Sequence, residues 1–195
     1  MKKALFLYIA LLVVSCGAFA QPHKTIYYSG IYKTAQDFKD ERLSYMINCD
    51  SSSGKIKFHH FFSGKYVDVI QAGKKHRLSK DSIFGYRNCK GKDYRFYGDN
   101  SNDYQVEEVK GVIIYSALVN DPAYTGKGIK LVTAYFFSKT FNTNILPLTV
   151  ANLKQAFPGD IRFSNMSDKD ISAYDDIHKM YKINYLLMQS TNILQ

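Results

Sequence analysis

The stretch at 81–98, DSIFGYRNCKGKDYRFYG, constrains the fold more than any other part of the chain. Two aromatic-rich runs, 83–88 and 93–97, flank Lys90-Gly91, where glycine supplies the positive φ that a tight turn demands. The stretch therefore predicts a β-hairpin. A turn centred on Lys90-Gly91 sets Arg87 opposite Tyr94, Tyr86 opposite Arg95, Gly85 opposite Phe96 and Phe84 opposite Tyr97. In that register arginine lies against tyrosine on both faces, each contact contributing about 0.5–1 kcal/mol where exposed. The ring of Phe96 then covers the bare backbone of Gly85.

The segments before the hairpin repeat its logic. TIYY at 25–28 reads as a first strand, and Thr34 with Asp37 three residues on reads as the start of a short helix anchored by Phe38. Residues 42–49 read as a strand, and 50–54 (DSSSG) as a turn. KIKFHHFF at 55–62 alternates with period two, which marks a half-buried strand. Ser63-Gly64 turns it into 65–70, and Ala72-Gly73 turns that into 74–78. Short strands joined by glycine-bearing turns argue for antiparallel pairing.

Beyond the hairpin, GDNSND at 98–103 is a loop by composition, and 104–109 returns as an exposed strand carrying Glu107 and Glu108. GVIIYSALV at 111–119 is nearly all apolar and reads as a central strand covered on both faces. Residues 120–128 form another loop, and 129–138 a long strand. TVANLKQAF at 149–157 has helical spacing behind a Thr cap and ends at Pro158-Gly159. From Ser167 onward, Ile171, Tyr174, His178, Tyr181, Tyr185 and Met188 step by three and four, which predicts one long helix kinked near Tyr174.

The N-terminus reads as an export signal. Lys2 and Lys3 precede an apolar run at 4–14, and Ala18-Phe19-Ala20 places small residues where signal peptidase cuts, so the mature chain begins near Gln21. That run is shorter than the roughly 20 residues a bilayer span needs, and the mature chain contains no transmembrane segment. Val13-Val14-Ser15-Cys16 also has the order of a lipoprotein box, which makes Cys16 the alternative processing site through lipidation. Removing 1–20 takes away two lysines and no acid, so the charge falls from +9 to +7. This balance favours an anionic envelope component, a glycan or a protein as partner. The lysines are too scattered to grip nucleic acid.

Cys49 and Cys89 remain, an even pair in an oxidising compartment, and read either as a disulfide or as two thiols buried apart. A bridge would close a 40-residue separation and contribute about 4 kcal/mol on the chain-entropy argument.

The motif-bearing enzyme classes find little support. Gly54, Gly64, Gly73, Gly91 and Gly126 each precede lysine, but none has the upstream glycine and following Ser or Thr of a phosphate loop. There is no G-x-S-x-G elbow, no H-E-x-x-H and no paired C-x-x-C. His59 and His60, with Asp68 on an adjoining strand, form the most tempting constellation for moving a proton or holding a metal. Neighbouring strand residues, however, point to opposite faces. Asp175 and His178 read as a dyad or as a surface ion pair. The expectation is therefore no metal, no cofactor and no catalytic site. With 16 Tyr, 13 Phe and no Trp, exposed aromatics are the better lead. Tyr86, Arg87, Tyr94, Arg95 and Tyr97 are the candidate ligand-binding residues.

FGYR and YRFY in the hairpin, YFFS at 135–138, LPLTVANLKQAFP at 146–158 and HKMYKINYLL at 178–187 resemble a group of small exported proteins of Bacteroidota-type bacteria. The resemblance covers most of the mature chain. It implies export and a shared fold, and it carries no catalytic residues across. The expected architecture is α+β, a β-rich antiparallel meander or partly closed sheet of about eight to nine strands with C-terminal helices packed on it, in one domain at 21–195. The expected function is a non-enzymatic binding or structural module of the envelope, located in the periplasm, at the outer membrane or outside the cell. The alternative is an envelope hydrolase using His59 or His60 with Asp68.

Overall fold

The computed structural model describes residues 27–52, 54–58, 64–98 and 102–189. The expected leader, Cys16, His59 and His60 lie outside the described residues. Strand β1 (Tyr28–Tyr32) leads into helix α1 (Ala35–Lys39), which Thr34 and Asp37 close with a reciprocal capping box. Then follow β2 (Ser44–Asn48), β3 (Gly54–Phe58), β4 (Tyr66–Gln71), β5 (Lys74–Ser79), β6 (Gly85–Arg87) and β7 (Asp93–Tyr97). The long strands β8 (Asn102–Val109), β9 (Ile113–Asn120) and β10 (Leu131–Ser138) come next. The short β11 (Leu146–Pro147) leads to α2 (Val150–Ala156), capped by the Thr149 hydroxyl. The chain ends with α3 (Asp168–Ile171), β12 (Tyr174–Asp175), β13 (Met180–Tyr181) and α4 (Lys182–Gln189).

Eight strands form one antiparallel sheet in the order β11-β10-β9-β8-β7-β6-β1-β2. Between β2 and β6 the chain leaves this sheet, builds the three-stranded meander β3-β4-β5, and returns beside β1. The fold is thus β-rich α+β, as expected. Cross-strand partners share a face, so the row Ile31, Tyr86, Tyr94, Gln105, Ser116, Tyr135 marks one side of the main sheet. One end of that side packs Ile31, Tyr86 and Phe96 against Val67, Val69, Ile56 and Phe58 of the small sheet. The other end packs Val112, Ile114 and Phe137 against Leu153, Phe163, Ile171 and Ile183 from the C-terminal segments. The opposite side carries a third core, in which Tyr115 and Phe136 meet Phe38 of α1 and Phe141 and Ile145 of the following loop.

Three expectations are corrected. The hairpin register is one residue off: Gly85 faces Arg95, Tyr86 faces Tyr94 and Arg87 faces Asp93. The Asn88 side chain accepts from the backbone N–H of Lys90 and Lys92, and Asn88 N–H donates to Lys92, so the loop spans five residues. The long C-terminal helix is broken. After one turn of α3 the chain forms the β12-β13 hairpin, because the Asp175 carboxylate accepts from the N–H groups of Ile177 and His178 and Lys179 adopts a positive φ. Finally, β8 is not an exposed strand. A bulge between Val106 and Glu108 turns Glu108 inward, where it accepts from Tyr181 N–H and from the Asn184 amide.

Candidate functional site: a fork in the sheet

Strand β8 pairs with β7 through Asn102–Gln105 and with β9 only from Gln105 onward, while β9 pairs with β10 along its whole length. The β8-β9 ladder therefore stops at Gln105 and Ser116. Beyond that pair Asn102, Asp103 and Tyr104 go with β7, whereas Ala117, Leu118 and Val119 go with β10, and the sheet opens into a fork. A cleft of about 450 Å³ fills it, lined from both sides of the sheet by residues such as Asp103, Tyr104, Gln105, Leu118, Thr133 and Phe136. That volume lies in the range of about 300–1,000 Å³ usual for ligand sites.

A polar network closes the base of the cleft. The Tyr94 hydroxyl donates to Gln105 Oε1 (3.0 Å), and Gln105 Nε2 and the Ser116 hydroxyl both donate to Glu107 Oε1 (2.6 Å each). Glu107 lies two residues from Gln105 and so shares its face by strand alternation, and the bulge turns Glu108 to the same side. Beside it the Tyr86 hydroxyl donates to Asp103 Oδ2 at 2.9 Å. Burial first, and the Asp103 charge second, push both tyrosines above their ordinary pKa, and Glu107 adds to the rise at Tyr94. The hydroxyls thus act as donors, and the cleft carries acidic charge. Its free arm is apolar, with Leu118 at 68% and Leu131 at 53% exposure.

The five ligand-binding candidates are divided. Tyr94 lines the cleft and Tyr86 stacks behind it. Arg87 lies at the hairpin end, bound bidentately by Asp93. Arg95 and Tyr97 project from the opposite side of the sheet. There the Arg95 guanidinium donates to the Tyr115 hydroxyl and the Thr143 carbonyl and sits 5.1 Å from the Tyr97 ring centroid. The expected exposure is corrected for Tyr86 and Arg95, which are buried because both faces of the sheet are covered there, Tyr86 by the small sheet and Arg95 by Phe84, Tyr115 and the Thr143 loop. The cleft also uses Asp103, Gln105, Ser116 and Leu118, which sequence reasoning missed. Each is an ordinary residue for its strand, and only the end of the β8-β9 ladder gives it a role.

Asp68 is buried and held by Arg77, whose Nε and Nη2 donate at 2.8 and 3.2 Å, and by Lys75 at 2.8 Å. Asp175 and His178 pair at 2.8 Å within the β12-β13 turn, where the imidazole stacks on Tyr185. Among the described residues, no group of three His, Cys, Asp or Glu side chains stands close enough to hold a metal ion. No helix among them is long and apolar enough to cross a membrane. Cys49 and Cys89 form a disulfide with a Cα separation of 5.5 Å, tying the end of β2 to the β6-β7 loop.

No protein-family model matches the chain, and neither a curated protein nor a solved structure was found to be similar to it.

Proposed function

We propose that the protein is a non-enzymatic binding module of the cell envelope and that the fork takes an extended polypeptide segment of its partner. The observation that carries this reading is the interrupted β8-β9 ladder. Strand edges without a neighbour offer backbone N–H and C=O groups, and an extended peptide satisfies them by adding a strand. Here two such edges face each other, so an inserted segment would bond on both sides and restore the continuous sheet. Leu118 and Leu131 lie diagonally on one face at the free arm and would receive its apolar side chains. Asp103 interacts with the buried Lys80 ammonium, and the Glu107 carboxylate beside it disfavours an anionic ligand at this position. Export is supported by the charged and apolar N-terminal residues and by the disulfide, which persists in oxidising compartments.

The test places a photo-cross-linking amino acid at position 118 in cells, with position 161, exposed but outside the cleft, as the control. The expected result is an adduct at 118, absent at 161, whose cross-linked residues map to a contiguous polypeptide stretch. Identical adducts at both positions, or an adduct to a glycan in place of a polypeptide, would remove the reading.

A further inference from the structure

We propose that the outer face of the three-stranded sheet is a docking surface for an anionic lipid leaflet. The register of β3, β4 and β5 places Lys55, Ile70 and Lys75 in one row and Lys57, Asp68 and Arg77 in the next. The alternate residues Ile56, Val67, Val69 and Leu78 are directed into the core, so these rows form the face turned away from it. All four cations are exposed, and with Asp68 they give the face a net charge of +3. Asp68 lies beneath them with its side chain 1% exposed, and its bonds tie the charged groups of Lys75 and Arg77 over it.

The arrangement selects the class of anion. Strands lie about 4.8 Å apart and residues two along a strand are about 7 Å apart, so the backbone positions of the four cationic residues mark the corners of a rectangle of roughly 10 by 7 Å. A linear polyanion engages cations in file, whereas a planar array matches a surface of head groups. Tyr66 and Ile70 share the face, and Arg77 lies over the Tyr66 ring at 5.9 Å. An amphipathic aromatic among cations suits the depth of the head groups. The attraction is screened beyond about 10 Å in 0.1 M salt, so binding is reversible and salt-sensitive.

The test is sedimentation of the purified protein with phosphatidylcholine vesicles, with and without a third of phosphatidylglycerol. Lys55 and Lys57 enter no ion pair among the described residues, so a Lys55→Gln, Lys57→Gln double variant removes charge without orphaning Asp68. Each cation brought to an anionic leaflet contributes about fivefold, so this variant should lose about thirtyfold in partitioning. The matched control Lys127→Gln, Lys154→Gln, exposed elsewhere, should bind as the parent does. Three results would overturn the proposal: equal binding to both kinds of vesicle, an equal loss in the control, or binding to dextran sulfate with none to vesicles. The last would reassign the face to an acidic polysaccharide. The cross-link at position 118 is read independently, so neither result decides the other.

Discussion

Tyr86 and Tyr94 stand directly opposite each other on β6 and β7 with their rings parallel, 4° apart in plane and 4.7 Å between centroids. One ring is buried in the contact between the two sheets, and the other reaches the fork. Such a pair contributes about 0.5–1.5 kcal/mol beyond its buried area. It also couples the two regions. The Tyr86 hydroxyl fixes Asp103 on one arm of the fork, and the Tyr94 hydroxyl fixes Gln105 at its base. The disulfide-bonded loop and the cleft are therefore joined through one hairpin.

Next to Tyr86, Gly85 allows that hairpin to close. A Cβ built there would fall on the Tyr94 carbonyl oxygen, with the Tyr94 carbonyl carbon at 2.9 Å and the Arg95 Cα at 3.1 Å. These are backbone atoms of a paired strand and cannot swing aside. Gly85→Ala should therefore cost about 3 kcal/mol, at the upper end for overpacking, and Gly85→Val little more, since the first carbon already clashes. Intrinsic strand propensity predicts the opposite sign. Guanidinium unfolding of Gly85→Ala decides, and an unchanged or raised midpoint would mean that β6 and β7 do not approach as described.

Local signals in the sequence translate directly into structure, and non-local ones do not. The Ala72-Gly73 turn with period-two alternation on either side specifies β4 and β5, and the Thr34, Thr149 and Ser167 caps each open a helix. The hairpin register escapes a reading based on glycine alone, because the Asn88 side chain binds two backbone N–H groups and enlarges the loop by its own chemistry. The C-terminal pattern misleads for a related reason. Tyr174, His178 and Tyr181 have helical spacing, but the Asp175 carboxylate caps the N–H groups that a helix would need. The fork depends on where β8 and β9 cease to pair, a property of the twisted sheet that no short window contains.

The Cys49–Cys89 bridge should be a main source of stability. It closes a separation of 40 residues, so a Cys49→Ser, Cys89→Ser variant should lose about 4 kcal/mol in guanidinium unfolding if the effect comes from the unfolded chain. A loss below about 1 kcal/mol would show that pairing of β2, β1 and β6 already holds these segments together in the denatured ensemble.

Arg95 is a buried cation that no carboxylate reaches among the described residues. Its guanidinium donates to the Thr143 carbonyl and the Tyr115 hydroxyl, with the rings of Phe84, Tyr97 and Tyr115 around it. Removing it orphans acceptors but no opposite charge. Arg95→Met, which keeps most of the volume, should therefore cost about 1–3 kcal/mol, and a larger loss in thermal unfolding would point to a counter-charge.

Alkaline pH should destabilise the fold through Tyr86. Burial, chiefly, and the nearby Asp103 charge raise its pKa well above the ordinary value of about 10. Tyr32 and Tyr181 are raised as well, again mainly by burial. Below pH 10 the phenol is protonated in folded and unfolded chains alike, so its contribution is fully present. As pH rises through the unfolded value, the unfolded tyrosine releases its proton while the folded one keeps it, and stability falls. The slope is about 1.4 kcal/mol per pH unit for each such tyrosine. Tyr86→Phe removes one of these protons, so its stability should fall less steeply with pH. It should also be less stable at neutral pH, because Asp103 loses the hydroxyl that donates to it. Urea unfolding of both proteins between neutral pH and pH 11, followed by tyrosinate absorbance, gives the two slopes. Equal slopes would mean that Tyr86 ionises in the folded protein and is not sealed between the sheets.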